Sequence, residues 1–203
     1  MNMIEIIKKF DLEYNQEKKY SDGWTDKWSN DSKNGHSYVQ NFYDKEFGKF
    51  KNKNISLIEI GIFTGGSLKL WKEYFTNPQK IVGVDITTQY LSDKYSNIEG
   101  IEYYFQDAYT DEFVKKFENF DIIIDDGPHT LQSQIEAIGM YLPKLNKGGI
   151  FVIEDVQDYS WFKYLTEEFE NISGGDMCYE AESLDFRETL GRVDDMMFVI
   201  RRK

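Results

Sequence analysis

From about residue 51 onward the chain repeats one pattern: a strand-length apolar run ending near a glycine or an acid, followed by a longer stretch with helical spacing. Strands are predicted at residues 56–60, 81–85, 101–105, 120–125 and 150–153, and helices at 67–75, 111–117, 131–142 and 159–169. A further helical segment is expected at 88–95. Five such units in series, joined by right-handed crossovers, imply an α/β fold: an open, doubly wound, mostly parallel sheet with helices on both faces. After residue 170 the pattern changes. Residues 176–181 and 196–200 read as two strands around a charged loop, 182–195, with no convincing helix between them, which predicts an antiparallel C-terminal edge. Before residue 50 the sequence is polar and aromatic, with helices expected at 4–18 and 38–47 around the turn-rich stretch SDGWTDKWSNDSKNGHS. The expected organisation is therefore a helical cap or lid, 1–50, on a core, 51–203, within one domain.

Composition narrows the partners. A chain of 203 residues with 40% hydrophobic and 16% aromatic content has enough apolar surface for a core. Its net charge of −12 repels nucleic acid and anionic membranes, so a small neutral or cationic partner fits better. Cys178 has no second cysteine to pair with, which suits a reducing compartment. No run approaches the ~20 apolar residues of a membrane span, and no signal-peptide core precedes the first helix. The expectation is a cytoplasmic protein that binds neither nucleic acid nor membrane, with homo-oligomerisation open.

The first chemical motif is the turn in SLIEIGIFTGGSLKLW, where Gly61, Gly65 and Gly66 link a strand to a helix that starts near Ser67. Glycines there allow close backbone approach, and the helix start offers free N–H groups. The spacing matches neither the dinucleotide fingerprint nor a phosphate loop. Asp85 ends the second strand 19 residues beyond Gly66, close to the spacing of an acid that grips a ribose diol. Glu59 would repel phosphates at this turn but suits the amino-acid end of S-adenosylmethionine. Asp107, after the third strand, is a candidate partner for an adenine amino group. Together these residues point to an adenosine-containing cofactor without a pyrophosphate.

The second motif is a crowd of acids. IIIDDGPH ends the fourth strand in Asp125 and Asp126, and GGIFVIEDVQ ends the fifth in Glu154 and Asp155. Ligands in open α/β sheets bind beyond these strand ends. Carboxylates so crowded repel one another unless a cation or proton is shared, and two or three of them with water suit Mg²⁺ or a similar hard cation. Side chains alternate along a strand, so one acid of the Asp125/Asp126 pair serves as a ligand. The plainer alternative is that all four are helix caps and solvated strand ends. His129 lies beside this cluster and is a candidate catalytic residue.

The segments EIGIFTGGS, VGVDI, DIIIDDGPH and GGIFVIEDVQ, with TDKW…GHSY upstream, resemble the metal-dependent sugar O-methyltransferases of macrolide biosynthesis and their cephalosporin-hydroxylase-like relatives. That resemblance implies a Rossmann-like methyltransferase fold using S-adenosylmethionine. It implies Mg²⁺, or another divalent cation such as Mn²⁺, on Asp126, Glu154 and Asp155, and His129 as general base. Asp125 is left on the cofactor side. The separation of 28 residues between Asp126 and Glu154 also resembles that of animal catechol O-methyltransferases. This chain departs from the sugar enzymes in having Pro128 where serine is usual, and it shows no counterpart of the large N-terminal domain that some of them carry. The expected reaction is methyl transfer to one hydroxyl of a sugar or glycan diol. The segment from residue 25 to 38 would fold over the cofactor, with Lys27 and Tyr38 against it and Trp24, Trp28 and His36 nearby. The alternatives are a catechol or phenol acceptor, or a non-catalytic module that binds the cofactor.

Overall fold

The computed structural model describes residues 1–15, 17–28 and 38–203, so His36 lies outside the described residues. Strands β1 (Ser56–Ile60), β2 (Lys80–Asp85), β3 (Ile101–Phe105), β4 (Phe120–Asp125), β5 (Leu145–Ile153), β6 (Tyr179–Asp185) and β7 (Met196–Arg202) form one sheet in the order β3-β2-β1-β4-β5-β7-β6. The first five run parallel, while β7 pairs antiparallel with both β5 and β6. Strand order reverses between β1 and β4, the position at which such sheets open a crevice for ligands.

Alternation along the strands builds two cores. Leu57, Ile122, Ile124, Ile150 and Val152 face one side, where they pack with α1 (Met3–Phe10) and α3 (Gly66–Tyr74). Ile58, Ile60, Ile123, Phe151 and Ile153 face the other, where they meet α5 (Leu131–Tyr141) and α6 (Trp161–Ser173). Helices α4 (Asp111–Val114) and α7 (Arg187–Leu190) are single turns, while α2 (Asp44–Phe47) continues a π-helical stretch, Val39–Tyr43, so the helix expected at 38–47 is present. Met3, Ile6, Ile7, Phe42 and Phe47 belong to the same core cluster as β1 and α3, so the helical parts described before residue 50 are packed onto the sheet. Among the described residues no helix is long and apolar enough to cross a membrane.

Several boundaries differ from expectation, among them the start of β5 at Leu145 rather than 150, and four have a clear local cause. The first helix stops at Phe10 because Asp11 adopts a left-handed cap, φ 54°, and Leu12 N–H returns to the Ile7 carbonyl. The segment at 88–95 winds only at Asp93–Tyr95, since Ser92 N–H is drawn to the Thr64 carbonyl and its hydroxyl donates to the Ser21 carbonyl. The helix at 111–117 keeps one α-helical turn, Asp111–Val114, before tighter turns at Lys116 and Phe117 replace it. Strand β6 runs to Asp185, deep into the stretch expected as loop, because its polar residues pair edge-on with β7 rather than entering a core.

Candidate active site

Beyond the strand ends the sheet's ladder continues through single bonds. Gly61 N–H donates to the Val84 carbonyl at 2.8 Å, Asp126 N–H to the Ile60 carbonyl at 2.8 Å, and Glu154 N–H to the Asp125 carbonyl at 2.9 Å. These bonds align the ends of β2, β1, β4 and β5 as one rim. Alternation then sorts the acids: Glu59, Asp126 and Glu154 share the face of Leu57, Ile124 and Val152, whereas Asp125 shares the face of Ile123 and Ile153.

The positive charge demanded by this crowding is found on the chain itself. Lys27, with no exposed surface, puts its Nζ 2.7 Å from Glu154 Oε1, 2.9 Å from Asp126 Oδ2 and 3.3 Å from Glu59 Oε1. Trp71 Nε1 donates to Glu59 Oε2 at 3.0 Å, and the Tyr43 hydroxyl donates to Glu154 Oε1. Burial alone would push the lysine pKa down, but the three carboxylates outweigh it and hold Lys27 well above its ordinary value. Burial pushes Asp126 well up despite the ammonium, and Glu154 to about 7. Lys27 and Glu59, expected against the cofactor, thus face each other inside the protein, for a physical reason: three acids on one sheet face need a counter-charge.

Tyr38, also expected against the cofactor, is buried and donates to Asp155 Oδ1 at 2.8 Å. Asp125 turns to the opposite side, where the Tyr109 hydroxyl donates to its Oδ1 at 2.5 Å; burial raises its pKa to about 7. On the outer side of Lys27, Asp126, His129 and Asp155 each bring one ligand atom within 4.8 Å of the others. His129 Nε2 lies 3.9 Å from Asp126 Oδ1. His129 and Asp155 both adopt left-handed backbone conformations, φ 54° and 53°, which non-glycine residues seldom take. Of the expected metal set, therefore, Asp126 and Asp155 converge together with His129. Glu154 is held from behind by Lys27 and Tyr43.

Asp126 and His129 of this cluster line a cavity of about 700 Å³, together with Trp24, Gly61, Phe63, Ser67, Asp85 and Asp107, among others. Its size suits a small-molecule ligand. Asp85 accepts the N–H groups of Ile62 and Phe63 at 3.2 and 3.0 Å, so the acid at the end of β2 also fixes the glycine turn. The Asp107 carboxylate accepts from Tyr109 N–H at 2.8 Å. The glycines serve the protein's own backbone first. A Cβ on Gly61 would lie 1.8 Å from the Asp126 carbonyl oxygen, and one on Gly66 2.0 Å from the Trp24 carbonyl oxygen. Gly65, at φ 83°, is approached by Leu91 and Tyr95. Neither Gly65 nor Gly66 lines the cavity.

Several residues here carry no sequence signal. Tyr43 and Trp71 have the pattern of helix core, and Tyr109 that of a turn residue. The TDKW stretch is the only pointer to Lys27, because its partners Asp126 and Glu154 lie 99 and 127 residues away.

No protein-family model matches the chain. Mycinamicin VI 2''-O-methyltransferase of Micromonospora griseorubida is 32% identical over 129 residues, which is 59% of this chain and 31% of that protein. The 8-demethyl-8-alpha-L-rhamnosyl tetracenomycin-C 2'-O-methyltransferase of Streptomyces olivaceus is 29% identical over 144 residues, 68% of this chain and 36% of that protein. The chain thus spans about a third of the length of the curated relatives it matches. Among solved structures, the MycE methyltransferase from the mycinamycin biosynthetic pathway, in complex with Mg and SAH, superposes with a TM-score of 0.66 at 19% identity, over 100% of this chain and 55% of that one. The chain has the Rossmann-like methyltransferase fold, and its sequence is similar to sugar O-methyltransferases of the mycinamicin and tetracenomycin type.

Proposed function

We propose that the protein is an S-adenosylmethionine-dependent, divalent-metal-dependent O-methyltransferase that methylates a hydroxyl of a sugar or glycan. The observation that carries this reading is one cavity lined by Gly61, Asp85 and Asp107 together with Asp126 and His129, the two residues that converge with Asp155. The relatives are named as enzymes acting on sugar-bearing small molecules, and the structural neighbour holds Mg and SAH.

The cavity fits the cofactor in size and in donor set, with Asp85 and Asp107 offering acceptors for hydroxyl and amino groups. The Asp126 and Asp155 carboxylates fit a divalent cation, since they are hard oxygen donors that already share one small volume, and the His129 imidazole stands beside them as a base. A cation held there supplies charge that favours ionisation of a nearby hydroxyl. The protein's own residues do the remainder. Trp24 and Phe63 wall the cavity against water, and Asp126 Oδ1 faces the His129 ring. His129 would accept the acceptor's proton at Nε2 while the hydroxyl oxygen takes the methyl group and S-adenosylhomocysteine leaves as the neutral thioether, a task commonly worth on the order of 10²–10⁴-fold. Trp24, Thr25 and Asp26, on the stretch bound to the core through Lys27, line the cavity and would serve as part of its lid. Calorimetry with SAH, followed by methyl transfer to a panel of glycosylated small molecules and simple catechols with Mg²⁺ or EDTA, tests the reading. Turnover on a sugar hydroxyl that chelation abolishes is expected; full turnover in EDTA, or no SAH binding, refutes it.

A further inference from the structure

We infer that Lys27 is a positioning residue that decides which carboxylate oxygens the site offers to a cation; the inference rests on the reading of Asp126 and Asp155 as cation-holding residues. Its ammonium has no exposed surface and touches one oxygen on each of three acids from three adjacent strands. The two oxygens of Asp126 are divided by this contact. Oδ2 is taken by Lys27 at 2.9 Å, which leaves Oδ1 directed toward the His129 ring, 3.9 Å away. Glu154 is drawn inward in the same way, its Oε1 shared between Lys27 and the Tyr43 hydroxyl. The cluster that converges on the outer side is consequently Asp126, His129 and Asp155, without Glu154.

Two consequences follow from charge and geometry. A fixed ammonium on the inner side of Asp126 repels any cation bound on the outer side of that carboxylate, and this repulsion is little screened in a buried site. Lys27 therefore keeps the site's cation affinity below what its acids alone would give, while holding Asp126 in one orientation. Replacing it with an uncharged side chain of similar length removes the repulsion, releases Asp126 Oδ2 and leaves Glu154 Oε1 held by Tyr43 alone, so the site becomes richer in oxygen donors and binds cations more tightly but less selectively in geometry.

The test uses Mn²⁺ with the full chain, in the absence of methyl donor and acceptor, by calorimetry and by electron paramagnetic resonance of free Mn²⁺. Lys27→Met is expected to tighten Mn²⁺ binding at least tenfold and to change the Mn²⁺ spectrum, and Lys27→Arg, which keeps the charge, to return the affinity toward wild type. SAH binding, measured on the same samples, is expected to persist in all three. If Lys27→Met fails to fold by circular dichroism, the comparison moves to Lys27→Met/Glu59→Gln against Glu59→Gln, in which one acid is removed along with the cation. An unchanged or weakened Mn²⁺ affinity in the folded variant overturns the inference while leaving the methyltransferase reading intact. Wild-type protein that binds SAH but no Mn²⁺ overturns both the inference and the metal dependence.

Discussion

Four single residues show what the site demands at each position. His129 sits at φ 54°, where asparagine is tolerated far better than alanine. His129→Asn therefore keeps the turn and removes the base. Turnover should fall on the order of 10²–10⁴-fold with SAH affinity retained. Recovery of that turnover at high Mn²⁺ would instead identify His129 as a ligand rather than a base, and initial rates across a Mn²⁺ titration separate the two. Glu59 is unusual in its sequence context for a reason other than the cofactor: a carboxylate at the end of β1 does require a partner, but the partner is Lys27 with Trp71. Asp125 and Asp126 show what alternation alone can decide. Their division between the two faces is legible from period two, and the structure sends one to Tyr109 and the other to Lys27.

At the scale of elements, the start of α5 sets where His129 stands. Thr130 caps that helix, its hydroxyl accepting from Ser133 N–H at 3.1 Å while Ser133 Oγ accepts from Thr130 N–H at 3.2 Å. Thr130→Ala removes one half of this capping box and should cost about 1 kcal/mol, read as a lower urea midpoint with an unchanged slope; no loss would mean that Ser133 alone closes the helix end. The parallel strands are legible because residues buried on both faces must be apolar throughout, as in Ile122-Ile123-Ile124. Strand β6 is only partly legible, because an edge strand with one half-exposed face carries glutamates and serine and gives no apolar run. The first helix is shorter than its pattern for a related reason: polar helical spacing continues past Phe10, but the left-handed Asp11 ends the helix.

At the scale of the whole molecule, a net charge of −12 opposes compaction through self-repulsion that added salt screens. The urea midpoint at neutral pH is expected to rise between roughly 10 and roughly 200 mM NaCl, a range over which the screening length shortens several-fold. A fall would show that the surface ion pairs, such as Arg201 with Glu46 and Glu182, outweigh the repulsion. By itself the sequence determined the α/β alternation, the parallel core of the sheet, and the gathering of four acids and one histidine at neighbouring strand ends, because each of these follows from local periodicity and from the rule that parallel strands deliver their carboxyl ends to one rim. Only the tertiary structure decided what neutralises those acids. That answer depends on Lys27, which is distant in sequence and brought to the rim by packing of the first fifty residues onto the sheet; no local pattern encodes a contact across 127 positions, and the choice between a buried ammonium and an external cation is made by which side chain reaches the acids in the fold.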